Sequence, residues 1–154
     1  MKQLYLVQHG ASKPEEEDPE RRLTENGARE VRKSADVLRA AGVSVDTIWH
    51  SGKARAQQTA EIFADVLGNP EGASRREGLA PKDAVAPTKE QIEQTNQNVM
   101  LVGHLPFLGR LAALLLSGNE EKEIVTFQFG CVVCLERSES GDWRLKWMIV
   151  PKLL

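Results

Sequence analysis

Leu4-Tyr5-Leu6-Val7-Gln8-His9-Gly10 is the stretch that decides how the chain is read. Four β-prone apolar residues in a row fit a central strand buried on both faces. The run stops abruptly at an amide, an imidazole and a glycine, where the strand would leave its sheet. Ligands of open α/β sheets bind outside the carboxyl ends of the strands, so these three residues stand where a site would lie. A later stretch repeats the plan. Val99-Met100-Leu101-Val102-Gly103-His104-Leu105-Pro106 is again an apolar run, a glycine and a histidine, with Pro106 set to open a helix. One histidine at a strand end is more often structural than catalytic; two in matched positions make coincidence a poorer explanation.

The rest of the chain arranges itself around these two runs. Residues 11–22 form a charged loop with Pro14 and Pro19, longer than most connections. Thr24 is placed as the N-cap of a helix whose inner stripe is Ala28, Val31, Ala35 and Leu38, and Gly42 ends it. Residues 43–50 read as a second strand. The next helix runs to about Leu67, with Ala56, Thr59, Ala60, Phe63, Val66 and Leu67 inward. Residues 73–83 are irregular with at most one short strand, and a short helix from Pro87 extends to about Thr95. After the helix over 106–116, residues 123–129, 131–137 and 143–150 read as antiparallel strands, and the spacing of Trp143 and Trp147 puts them on one strand face. Alternating strands and helices with a β-rich tail predict one α/β domain over 1–154 with a mixed sheet.

Composition narrows the function. The chain has 154 residues, 41% hydrophobic and 27% charged, which is enough for one domain with a real core. A net charge of −2 argues against a nucleic-acid partner, which usually selects a basic excess. Cys131 and Cys134 lie three apart in a strand, hence on opposite faces, and read as core thiols suited to a reducing cytoplasm. The N-terminus lacks a signal-peptide plan and the most apolar helix is too short for a bilayer, so a cytoplasmic, membrane-free protein is expected. The acidic run at residues 15–18 reads as a solvated loop, and His50 as a structural residue at a strand end.

Chemistry gathers on three side chains. Arg55 falls in the first turn of its helix, where the helix dipole disfavours a cation unless an anion binds there too. Were His9, His104 and Arg55 to converge, they would make a compact cationic pocket suited to a phosphoryl group. One imidazole could accept the phosphoryl group and the other could stabilise its charge. A metal site would need further ligands at recognisable spacing, and no such set is present, so no metal or other cofactor is expected.

Four motifs carry a family resemblance: Gln8-His9-Gly10, residues 21–27 (Arg-Arg-Leu-Thr-Glu-Asn-Gly), residues 51–60 beginning Ser51-Gly52-Lys53-Ala54-Arg55, and Val102-Gly103-His104-Leu105-Pro106. In this order and spacing they resemble the histidine phosphatase superfamily, and within it the small phosphohistidine phosphatases of the SixA type. The resemblance is weakest over 70–98. It implies a three-layer, phosphoglycerate-mutase-like α/β sandwich with a mixed, mostly parallel sheet, and a metal-independent phosphatase. By position in the motifs, His9 would be the transiently phosphorylated residue. Arg55 and His104 would hold the phosphate, and Arg21 would reach it from the long loop. The substrate implied is a phosphorylated protein, phosphohistidine above all, or a small phosphorylated molecule.

Two departures qualify that expectation. The family motif is Arg-His-Gly, and here Gln8 replaces the arginine, supplying a neutral contact without a charged fork. Weakened activity is therefore expected, with Arg21 or Lys13 restoring some charge, and the alternative is a phospho-binding module. The general acid is the second gap. Leu105 follows His104 where some members carry an aspartate, leaving Glu77, and behind it Asp83, as candidates in the middle region.

Overall fold

The computed structural model of the chain describes residues 2–154. Six strands make one sheet in the order β3-β2-β4-β1-β5-β6. They are β1 (Lys2–Gln8), β2 (Thr47–His50), β3 (Ala73–Arg75), β4 (Val99–Gly103), β5 (Val132–Arg137) and β6 (Trp143–Ile149). Pairings β1–β4, β2–β4 and β2–β3 are parallel, while β5 runs antiparallel to both its neighbours. The sheet is therefore mixed and mostly parallel, as expected. The four helices are α1 (Glu25–Ala40), α2 (Ala54–Leu67), α3 (Ala86–Gln94) and α4 (Phe107–Ser117).

Strand periodicity sorts the core into two layers. Leu4 and Leu6 of β1, with Val99 and Leu101 of β4, face α3 and α4, against Phe107, Leu108 and Leu111. The alternate residues Tyr5, Val7, Met100 and Val102 face α1 and α2, against Val31, Leu38, Ala60 and Phe63. Both central strands are buried on both faces, which is why they read as continuous apolar runs. Cys131 and Cys134 fall in opposite layers, both buried and unpaired. Among the described residues no helix is long and apolar enough to cross a membrane.

Three expectations need correction. Residues 123–129 are not a strand. Both flanks of β5 are already taken by β1 and β6, and the segment instead drapes Phe127 and Val125 onto the α4 layer. The second strand begins at Thr47 rather than 43, because Val43 donates to the Leu38 carbonyl in the turn that ends α1. Trp143 and Trp147 face opposite sides of the sheet. Cys134 pairs with Trp147 but Leu135 with Leu145, so Lys146 is an extra residue that reverses the alternation. Trp143 thereby joins the α3–α4 layer, while Trp147 packs on Tyr5 with ring centroids 6.0 Å apart.

Candidate active site

The pairing of β1 with β4 builds the site. Gln8 stands level with Gly103, and the His9 amide donates to the Gly103 carbonyl at 3.1 Å. Each strand thus releases its histidine one residue past the same level, and the imidazole centroids lie 5.1 Å apart. The helices after β1 and β4 cover opposite faces of the sheet, so the two rings sit in the crevice where α/β folds bind ligands. On the far side of β4, the chain leaves β2 through Ser51, whose Oγ is 2.6 Å from His104 Nε2.

His9 is held in one tautomer. Its Nδ1 lies 2.7 Å from the Gly10 carbonyl oxygen, which can only accept, so Nδ1 carries the proton and Nε2 keeps its lone pair. Phe129 packs on the same ring at 5.5 Å between centroids. Burial is the main cause that lowers His9 to about 4; the Gly10 hydrogen bond opposes it, and Arg55 and Arg21 add to it. His104 falls to about 3, through burial first and then the positive field of His9, Arg55, Lys53 and Arg21. At neutral pH both imidazoles are uncharged, and His9 offers an unprotonated nitrogen.

Arg55 is the second residue of α2, whose start has no side-chain cap and no acidic residue in its first turn. The Thr59 hydroxyl donates to the Arg55 carbonyl at 2.8 Å and accepts from the Gly10 amide at 3.0 Å, tying this helix to the chain just beyond His9. Among the described residues, three buried side-chain polar atoms have no protein partner: Arg55 Nε, His104 Nδ1 and Gln8 Oε1. All belong to residues singled out in the sequence. An uncompensated buried donor such as Arg55 Nε is costly, and an oxyanion would satisfy it.

Arg21 reaches the site from the long loop through a strained backbone. Its φ is +52°, a left-handed conformation uncommon for a side-chain-bearing residue. Asp18 imposes it by accepting from the Glu20 and Arg22 amides and gripping the Arg22 side chain, whose hydrogen bond holds the carboxyl well below the usual carboxylate range. Gln58 of α2 secures the loop by accepting from the Leu23 amide at 2.7 Å. The Arg21 guanidinium donates to Ser12 Oγ and the Lys13 carbonyl. Arg21 lines an open groove of about 640 Å³ together with Lys53, Arg55, Glu15 and Glu20.

The other expected residues are held by local contacts. Glu77 is 92% exposed and pairs with Arg75 at 3.6 Å. Asp83 accepts from the Ala80 amide within its own turn. His50 Nδ1 accepts from the Gly52 amide, a local bond that fits its structural reading. Sequence reasoning passed over Ser51, Thr59 and Phe129. Thr59 carried one signal, a hydroxyl in an otherwise apolar stripe, but the bond that uses it spans two elements.

Strand-end imidazoles beside an arginine at a helix start define a class of phosphate-handling α/β proteins. Residues 4–81 match the histidine phosphatase superfamily (branch 1), and the chain belongs to that family. It is 29% identical over 154 residues to the phosphohistidine phosphatase SixA of Escherichia coli, covering 97% of this chain and 94% of that protein. A solved structure of the protein histidine phosphatase SixA complexed with tungstate superposes with a TM-score of 0.87 at 28% identity, covering 98% of each chain. A mycobacterial glucosyl-3-phosphoglycerate phosphatase shares the fold at a TM-score of 0.77 and 16% identity, covering 96% of this chain and 98% of that one. Among the described residues, no three His, Cys, Asp or Glu side chains group as a metal site would need.

Proposed function

We propose that the protein is a phosphatase that passes the phosphoryl group through His9, with protein phosphohistidine as its substrate class. The observation that carries this reading is the His9 ring, pinned by its Nδ1–H to the Gly10 carbonyl with Nε2 left unprotonated beside His104. In the first step the Nε2 lone pair bonds to phosphorus as the bond to the substrate imidazole breaks. The departing imidazole nitrogen takes its proton from solvent. Water then attacks phosphorus, the bond to His9 breaks, phosphate leaves and the water's proton passes to bulk. Arg55 Nε supplies a donor to the phosphoryl oxygens, Arg21 a second charge from the loop, and His104, steadied by Ser51, a neutral polar wall. The tungstate held by the SixA structure is a tetrahedral oxyanion, which supports an oxyanion role for the pocket.

Substrate class rests on resemblance and on leaving-group chemistry. An imidazole leaves phosphorus readily, so the step asks little of a proton donor. Glu77 is the proposed donor for poorer leaving groups such as alkoxides. One observation favours a second reading. Gln8, buried at the site, is neutral where the family motif has an arginine, which suits a phospho-binding module with weak or no turnover.

The experiment is phosphate release from a phosphohistidine peptide and from an aryl phosphate, comparing wild type with His9→Ala, with and without chelator. Release that needs His9 and survives chelation is expected, faster on the peptide. No release above His9→Ala, from a folded protein that still binds the phosphopeptide, would leave the binding module in its place.

A further inference from the structure

We infer that the groove between α4 and the loop over 118–130 seats the polypeptide beside the phosphorylated residue, and that it selects a segment carrying an apolar and a basic side chain. The inference rests on the phosphatase reading for what enters the pocket and adds where the rest of the substrate lies.

Exposed apolar surface is the first observation. Among the described residues, the large hydrophobic side chains with substantial exposure are Leu105 at 43%, Ile124 at 44% and Phe129 at 46%, with Leu145 on the edge strand and Leu153 and Leu154 at the chain end. The first three lie on the loop and helix start that follow or touch the two histidines. Leu105 directly follows His104, Phe129 packs on His9, and Ile124 shares with Leu105 the groove beside α4. A phosphate ion gains nothing from such a wall; a polypeptide does. The groove has a volume of about 590 Å³, room for a few side chains.

Charge is the second observation. The groove contains Glu120, Glu121, Glu123, Arg110 and Lys122. Arg110 is ion-paired with Glu120, and no other ion pair in the groove exists among the described residues. Glu121 and Glu123 are both exposed, against Lys122 alone. The phosphate side of the site has Arg21, Lys53 and Arg55 against Glu15 and Glu20, a balance of opposite sign. Such a surface pairs a phosphoryl group at one end with a cation at the other and disfavours an acidic segment.

Continuity is the third. The Gly130 amide closes the loop by donating to the Gln8 and His9 carbonyls at 3.0 and 3.3 Å. The loop whose residues 120–127 wall the groove is therefore anchored at its far end to the backbone of His9.

Binding and turnover together test this. A short peptide bearing a stable phosphoryl-triazole analogue of phosphohistidine, flanked by Leu and Arg, is titrated by fluorescence anisotropy against wild type, Ile124→Asp and Glu123→Lys. A twin peptide has Glu and Ser as flanks. Wild type is expected to prefer the Leu/Arg peptide about tenfold or more, from one buried apolar side chain and one charge pair. Ile124→Asp should remove most of the apolar gain. Glu123→Lys should weaken the basic peptide, strengthen the acidic one, and lose both effects in high salt. Aryl phosphate turnover should be unchanged in both variants. Equal affinity of wild type for the two peptides, or equal loss on peptide and aryl phosphate, overturns the groove. Absence of aryl phosphate turnover in wild type overturns the phosphatase reading alone, since the peptide titrations still report on the groove.

Discussion

Ser51 Oγ and His104 Nε2 stand 2.6 Å apart, a contact made by the loop after β2 with the loop after β4. Ser51 Oγ also accepts from the Lys53 amide at 3.3 Å, so the hydroxyl is held by the chain that starts α2. This contact fixes the His104 ring opposite His9. Ser51→Ala is therefore expected to lower kcat about tenfold or more with a smaller change in KM, because a misplaced polar wall is felt most in the transition state. Steady-state kinetics on an aryl phosphate reads the split, and an unchanged kcat would show that the ring needs no such partner.

Gln8 occupies the end of the strand that leads into His9 without a charge. A charged hydrogen bond contributes about 1.5–3 kcal/mol against about 1 for a neutral one. Gln8→Arg is thus expected to raise kcat/KM about tenfold. It would also give the pocket a bidentate fork and tighten inorganic phosphate as an inhibitor. Equal or lower turnover in the folded variant would mean that Arg21 already supplies the charge.

Glu77 is tested by the leaving group. With phosphohistidine, Glu77→Gln is expected to change turnover by less than about twofold, since the imidazole departs unaided. With phosphoserine, a donor would matter, and the variant should lose about tenfold or more. An unchanged rate of Glu77→Gln on phosphoserine would remove Glu77 from the chemistry.

Much of this arrangement was legible because β1 and β4 are neighbours. Two apolar runs that each end in a histidine are visible in sequence, and the sheet order brings those ends together. Arg55 drew notice as a cation in the first turn of its helix, but its place in the family motif, rather than spacing alone, singled it out; the missing side-chain cap is visible only in the structure. Ser51, Thr59 and Phe129 were not legible, because each acts across elements far apart in the chain, and only Thr59, a hydroxyl in an apolar stripe, stands out where it is. The Trp147 face was missed because a single bulge at Lys146 reverses a two-residue period, and nothing in the residue types announces it.

The neutral histidines set a pH signature. Both have folded values, about 4 for His9 and about 3 for His104, below the ordinary 6.5. His50 is shifted the same way by burial. Between those values and 6.5 the unfolded chain binds more protons than the folded one, so stability is full above about pH 6.5 and falls as pH drops toward 4. The Asp18 carboxyl adds to the loss only lower still. Thermal unfolding should show Tm declining from pH 7 to pH 5, with a shallower decline in His9→Asn. Added phosphate should oppose the decline, since a bound anion favours the imidazolium. The acid limb of kcat/KM should lie near pH 4, so activity persists at pH 5. A flat Tm over that range would contradict the burial of the two rings.

His9 also depends on a close approach far from its ring. A Cβ added at Gly27, in the first turn of α1, would lie 2.2 Å from the Ala11 carbonyl oxygen. That carbonyl accepts from the Thr24 amide at 3.0 Å, and Thr24 Oγ1 caps α1 by accepting from the Gly27 amide at 2.9 Å. Backbone meets backbone here, so no side-chain rotation can relieve the overlap. Gly27→Ala must move residues 10–12, including Gly10, whose carbonyl orients His9 and whose amide is held by Thr59. The expected outcome is a loss of about 2–4 kcal/mol in stability and a disproportionate fall in turnover. Thr24→Ala, which removes the cap but leaves the space, should cost only about 1 kcal/mol and leave turnover nearly intact. Urea denaturation and aryl phosphate kinetics on the two variants separate these effects. Equal damage from both would show that the helix cap, rather than the Gly27–Ala11 approach, positions His9.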